Sequence, residues 1–292
     1  MPTDLTHLAA TLGRGELVPY LGPGALAGVT EIDTGLPLPA DSDSLIIAMN
    51  QGRPMAPKLM WEFSRAAMNV ELKRGRAAVI RFLNQTYGER QWIRSPLHAW
   101  LASLHLPYII DCNRDTQLQD CYQDRPHLLI RGIARTAGAD YRFRIHLWRD
   151  DAYHEIDLAQ ADPSLPVLFK PLGSPRPDPT YIASDADFVD YLTELMGGFG
   201  IPPFLKERRR GRRYLYLGLR LTRDTERMVL ADVCFGAGSP TGWSLIPAPT
   251  PKERRFCTGK DIELIPADIP DLLAAAGLAP APASAGAPAI GA

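Results

Sequence analysis

The chain has 292 residues, 46% hydrophobic and 22% charged, which is enough apolar sequence to bury a substantial core. Its 32 Lys and Arg nearly balance its 33 Asp and Glu, and a formal net charge of −1 argues against binding to nucleic acid or an anionic membrane through overall charge. No run approaches the roughly 20 apolar residues of a membrane span, and Met1-Pro2-Thr3-Asp4 lacks the basic-then-apolar pattern of a secretory signal, so the expectation is a cytoplasmic protein.

In chain order, Leu5 to Leu12 reads as a short helix. Glu16 to Leu21 is the apolar run of a buried strand, and it enters Gly22-Pro23-Gly24-Ala25. Residues 27–43 are rich in Gly, Pro, Asp and Thr and predict a long loop. A helical insertion over about 40–90 follows. Lys58 to Lys73 spaces Leu59, Met60, Phe63, Ala67 and Val70 on one helical face, and Arg76 to Tyr87 repeats this with Val79, Ile80 and Leu83 before Gly88. Ser95-Pro96 opens a helix to Leu104, with the serine as cap and the proline in the first turn. Leu106 to Ile110 is a short buried strand ending in Asp111-Cys112-Asn113-Arg114-Asp115. Residues 126–157 read as two or three β segments, including Tyr141 to Trp148. Pro166 to Phe169 is another buried strand, ending in Lys170-Pro171-Leu172-Gly173-Ser174, and Asp185 to Met196 is a helix capped by Ser184.

The final third alternates. Strands at Tyr214 to Leu217, Trp243 to Ile246 and Ile262 to Ile265 each precede a helix: Arg223 to Val233, Pro251 to Cys257 and Pro270 to Ala276. Such alternation implies right-handed crossovers. The predicted fold is α/β: a Rossmann-like parallel sheet with helices on both faces and a helical insertion after the first strand. It is expected to occupy residues 1–277. Residues 278–292 are almost wholly Ala, Pro, Gly and Ser and are expected to be disordered.

Ligands of open parallel sheets bind beyond the carboxyl ends of the strands. Four such ends carry polar or glycine-rich residues: Gly22-Pro23-Gly24, Asp111 to Asp115, Leu172-Gly173-Ser174, and Gly218 with Arg220. Gly22-x-Gly24 lacks the third glycine of a dinucleotide fingerprint, and no acidic residue follows a second strand at the usual distance. Asn113 and Asp115 have an alternative role as caps of the following helix. Cys112, Cys121, Cys234 and Cys257 form no CxxC pair and read as reduced structural thiols, with no spacing that announces a metal site. The run Lys206 to Arg213 is the densest charge cluster; without interleaved aromatics it reads as a solvated loop rather than a nucleic-acid contact.

Taken in order, these motifs resemble the Sir2-like (sirtuin-type) domain family, closest to its bacterial group outside the protein deacylases. Gly22-Pro23-Gly24-Ala25-Leu26 and Gly35-Leu36-Pro37 are similar to the family's glycine loop and the Gly-Ile-Pro or Gly-Leu-Pro after it. Pro96-Leu97-His98 and Cys112-Asn113-Arg114-Asp115 resemble Pro-x-His and Thr-Asn-Tyr-Asp. Lys170 to Ser174 resembles Lys-x-His-Gly-Ser, and Leu217 to Asp224 loosely resembles Ile-Gly-Tyr-Ser-x-x-Asp. The resemblance runs from about residue 16 to 266.

It implies NAD or ADP-ribose as the small-molecule nucleotide bound. The amides of Gly22 to Ala25 would meet the pyrophosphate. Asn113, the one candidate catalytic residue, would hold the ribose or a water. Asp115 would accept from the nicotinamide amide, Gly173 and Ser174 would line the site, and Gly218 and Arg220 would lie near the adenosine half. The departures also carry implications. Leu172 stands where the family has its catalytic histidine, and leucine cannot accept a proton. Pro23 removes an amide donor, Leu26 replaces a hydroxyl residue, no Asp-Phe-Arg follows Pro37, and no paired-cysteine zinc module is present. A protein deacylase is therefore not expected. The leading expectation is a regulatory or sensor module with weakened or lost NAD cleavage. An active NAD+ glycohydrolase using Asn113 and an unidentified base is the alternative, and a ligand-free protein-interaction module is the third.

Overall fold

A computed structural model of the chain describes residues 4–278 except 137 and 139. The expected terminal tail from residue 279 onward lies outside the described residues.

The strands are β1 (Leu17–Leu21), β2 (Tyr108–Asp111), β3 (His127–Gly132), β4 (Phe143–Arg149), β5 (Ala152–Ile156), β6 (Val167–Lys170), β7 (Gly173–Ser174), β8 (Thr180–Tyr181), β9 (Arg213–Leu217), β10 (Gly242–Leu245) and β11 (Ile262–Ile265). Nine of them form one sheet in the order β11-β10-β9-β1-β2-β6-β3-β4-β5, while β7 and β8 pair separately. All ladders from β11 across to β3 are parallel; β4 and β5 join antiparallel at the β3 edge. The expected parallel sheet is thus the core of the molecule. The β segments at 126–157 extend it as an antiparallel edge, because a tight turn at Asp150 and Asp151, both with positive φ, folds β5 straight back on β4.

Alternate residues of the central strands feed opposite faces, as a period of two requires. Val18, Tyr20, Ile110, Phe169, Tyr214 and Tyr216 pack on one face, and Leu17, Leu21, Ile109, Leu168, Leu215 and Leu217 on the other. The first face is covered by α7 (Asp185–Met196), α8 (Pro203–Arg209), α9 (Asp224–Val233) and α10 (Pro251–Gly259). The second is covered by α1 (Leu5–Gly13), α5 (Pro96–Ser103), α6 (Gln117–Cys121) and α11 (Ile269–Ala275). Burial on both faces explains why these strands read as unbroken apolar runs. Pro19 is tolerated in a central strand because β1 meets β2 only at Tyr20 and Leu21, outside the proline.

The insertion after β1 comprises α2 (Ser42–Met49), α3 (Phe63–Arg74) and α4 (Arg76–Asn84), the last running into a π-turn at Gln85–Glu89. It has its own apolar cluster, including Ile46, Phe63, Ala67, Val79 and Leu83. The second helix begins at Phe63 rather than Lys58, because residues 57–61 form turns. Ser184 caps α7 as expected, accepting from the Asp187 amide in a reciprocal capping box. Ser95 sits at the cap position of α5 without accepting from it. Its hydroxyl turns toward the Ala25 carbonyl, 3.4 Å away, and its amide donates to Gln117 Oε1.

Candidate functional site

The chain runs outward from β1 to β2 and its neighbours, then returns to the other side of β1 to build β9, β10 and β11. The β1/β9 boundary is therefore the point where strand order reverses, and the carboxyl edge there is the crevice such folds use for ligands. Three of the four singled-out strand ends are joined there by direct hydrogen bonds. The Gly24 amide donates to the Gly218 carbonyl at 2.8 Å, and Asn113 Nδ2 reaches from β2 to the Gly22 carbonyl at 2.9 Å. A Cβ on Gly24 would lie 2.8 Å from the Gly218 Cα, and one on Gly218, whose φ is +70°, would lie 2.3 Å from the Ala25 nitrogen. These glycines permit two backbones to touch.

The same contacts correct one expectation. The amides of Gly22, Gly24 and Ala25 were expected to face an anion, but they donate to the carbonyls of Leu217, Gly218 and Gly22, and Pro23 has no amide. The loop is a 3₁₀ turn whose donors are spent within the protein. Positive charge at the crevice comes instead from Arg220 and Arg223, which border an outer cleft of about 550 Å³ together with Pro23, Gly24, Gly28 and Ser42. That volume lies within the usual range for small-molecule sites. The Arg220 side chain is 64% exposed and pairs with the buried Glu253 carboxylate, its Nε 3.6 Å from Oε1.

Behind the outer cleft lies an inner cavity of about 70 Å³. Tyr20, Phe63, Tyr87 and Phe188 give it aromatic walls. Asn113 and Leu172 line it from the ends of β2 and β6, and Glu62 and Glu226 line it from the insertion and α9. Leu172 thus borders the cavity beside Asn113, and no histidine is among the lining residues. Arg114 also borders it, but its guanidinium donates twice to the Ile182 carbonyl and lies over the Phe63 ring.

Asp115, Gly173 and Ser174 do not line either space. Asp115 accepts at 2.7 Å from the amide of Gln117, the first residue of α6, although Thr116 holds the cap position itself. Asp115 is 2% exposed and belongs to a buried cluster with His98, Asp111 and Lys170. The β2/β6 register makes Asp111 and Lys170 neighbours, and the Lys170 ammonium donates to Asp111 Oδ2 while the Asn113 amide takes Oδ1. Burial pushes the Asp115 carboxyl up and the His98 imidazole down, so both favour their neutral forms. His98, Asp111 and Asp115 bring one nitrogen and two oxygens within 4.8 Å of one another, but the Lys170 ammonium already supplies the charge a metal ion would bring. Gly173 and Ser174 form β7 against β8; a Cβ on Gly173 would lie 1.9 Å from the Thr180 carbonyl oxygen, and the Ser174 hydroxyl donates to the Arg176 carbonyl.

His146 and His154 lie on β4 and β5, at the far antiparallel edge, with contacts to Arg131 and to the Arg149 carbonyl. Within the basic run, Arg208 donates to the Pro107, Pro163 and Leu165 carbonyls, and Arg209 to Asp232 and Val233 at the end of α9. Those two arginines close strand and helix ends rather than face outward. The four cysteines are free, and Cys112 Sγ donates to the Tyr20 hydroxyl.

The residues that reading the sequence missed are Ser42, Glu62, Arg223 and Glu226. Glu62 accepts from the Thr225 amide at 3.2 Å and from its hydroxyl, which fixes one carboxylate against the first turn of α9. Glu226, one residue on, has an enclosed Oε2 without a partner, as does the Ser42 hydroxyl. Burial, reinforced by the nearby Glu62 carboxylate, pushes the Glu226 carboxyl up to about 8. The arrangement offers a polar mouth, a carboxyl able to hold a proton at neutral pH, and an aromatic interior. Among the described residues, no helix is long and apolar enough to cross a membrane. No protein-family profile matches the chain, and no curated protein matches it.

Proposed function

We propose that the chain is a Sir2-like nucleotide-binding protein that holds NAD or ADP-ribose in the β1/β9 crevice and acts as a regulatory or sensor module with little or no NAD cleavage. The observation that carries this reading is the lining of the inner cavity: Asn113 stands at the carboxyl edge beside Leu172, an apolar residue where a proton acceptor would be needed. The phosphates would lie in the outer cleft near Arg220 and Arg223, and a ring would enter the aromatic interior. Asn113 would orient the ribose while remaining anchored to Gly22. Hydrolysis of a bound NAD would release neutral nicotinamide and add water at the ribose carbon, a step that a positioned and deprotonated water accelerates; an apolar Leu172 offers that water no proton acceptor.

One observation favours the alternative of an active NAD+ glycohydrolase: Glu226 is a carboxyl with a raised pKa on the wall of the same cavity. Binding is tested by calorimetry with NAD and ADP-ribose. A dissociation constant near 1 μM, about 8 kcal/mol, is expected. No heat and no melting shift at millimolar ligand would defeat the reading in favour of a ligand-free interaction module.

A further inference from the structure

We propose that Glu226, together with Ser42, forms a ribose-binding station at the junction of the two spaces, where the carboxylate accepts hydrogen bonds from the vicinal hydroxyls of the terminal ribose of an ADP-ribosyl ligand. This rests on the binding reading above and adds a recognition residue to it.

Glu226, Ser42 and Arg223 each border both the outer cleft and the inner cavity, so they mark the passage between them. Asn113 and Leu172 border the inner space only, which places a sugar lying against them within reach of that passage. Glu226 Oε2 and Ser42 Oγ are both enclosed and both lack a partner. Buried polar atoms are ordinarily paired, so an orphaned carboxyl oxygen and an orphaned hydroxyl on two residues that border both spaces call for a ligand with donors. A vicinal diol supplies two O–H donors a short distance apart, and an acidic side chain on a ribose hydroxyl is the usual device of dinucleotide-binding folds. Here that acid comes from α9 rather than from the end of a second strand.

The charges facing Glu226 set its protonation. Glu62 from the insertion and Glu253 from α10 disfavour its ionised form; Arg223 just before α9 and Arg227 within it favour it; burial outweighs both arginines. At pH 7 the free protein therefore holds a proton on Glu226, and a ligand whose hydroxyls donate to the carboxylate must displace it. Binding and proton release are linked.

The test is titration calorimetry at pH 7 in two buffers of different ionisation enthalpy. ADP-ribose should release close to one proton on binding the wild type, whereas ADP, which lacks the terminal ribose, should release none. In Glu226→Gln the release should vanish and ADP-ribose should bind about tenfold more weakly or worse, with ADP unchanged. Glutamine matches the shape and charge of the protonated acid, so the fold should persist. Ser42→Ala, a smaller change at the surface end of α2, should weaken ADP-ribose several-fold while leaving proton release intact. Equal proton release by ADP and ADP-ribose, or unchanged affinity and release in Glu226→Gln, would overturn the station while leaving nucleotide binding in place. If the wild type binds neither ligand, the binding reading falls and the station with it.

Discussion

At the scale of single residues, Glu226 has a consequence for stability as well as for binding. Its carboxyl is raised from 4.5 to about 8 in the folded protein, chiefly by burial. Between those values the folded chain keeps a proton that the unfolded chain has lost. The sign is therefore negative: stability falls as pH rises from about 4.5 to about 8 and is level above that. Discounted for partial solvent access, the loss is about 1–2 kcal/mol, or a few degrees of melting temperature for a chain of this size. Wild type should lose that much between pH 5 and pH 8 in thermal unfolding, and Glu226→Gln should lose less. Parallel pH profiles for the two proteins would show that the carboxyl is not held protonated. The Asp111–Lys170 pair beneath the site is of the opposite kind, since each charge there compensates the other and neither can be removed without stranding its partner.

Elements decide which residues meet. The crevice exists because two loops, after β1 and after β9, come into backbone contact, and only glycine allows this. Gly218→Ala adds a Cβ 2.3 Å from the Ala25 nitrogen in a left-handed conformation, so it should cost about 3 kcal/mol or more. Gly52→Ala shares the positive φ but meets nothing within 4 Å, and should cost about 1 kcal/mol. Equal melting temperatures for the two variants would mean that the loops do not pack as described. Much of this level could be read from sequence: the unbroken apolar runs of β1, β2 and β6 announce strands buried on both faces, and Ser184 announces the start of α7. The antiparallel edge was visible only as β segments, because its direction depends on the Asp150-Asp151 turn. Ser95 carried a cap signal, yet tertiary contacts with Ala25 and Gln117 claimed its polar atoms. For the site, the glycine loop, Asn113, Leu172 and Arg220 lie at the crevice because strand ends converge by topology. Glu62 and Glu226 gave no signal, since an acid in or before the first turn of a helix is ordinarily a favourable partner for its dipole. Only the packing of the insertion against α9 turns them into cavity walls.

For the molecule as a whole, the sheet, the reversal of strand order at β1/β9 and the insertion over it make an enclosed chamber reached through a charged mouth. On the proposed reading, NAD lies across the two spaces and survives because Leu172, where the resemblance places a histidine, cannot act as a general base. The most direct test is nicotinamide release at saturating NAD by wild type, Leu172→His and Leu172→His/Asn113→Ala. Wild type should stay at the rate of a protein-free control. The histidine should restore turnover, because a general base is worth roughly two to four orders of magnitude, and loss of Asn113 should remove the gain. Robust turnover by wild type, abolished by Glu226→Gln, would contradict the proposed reading and make this protein an NAD glycohydrolase with a carboxylate base.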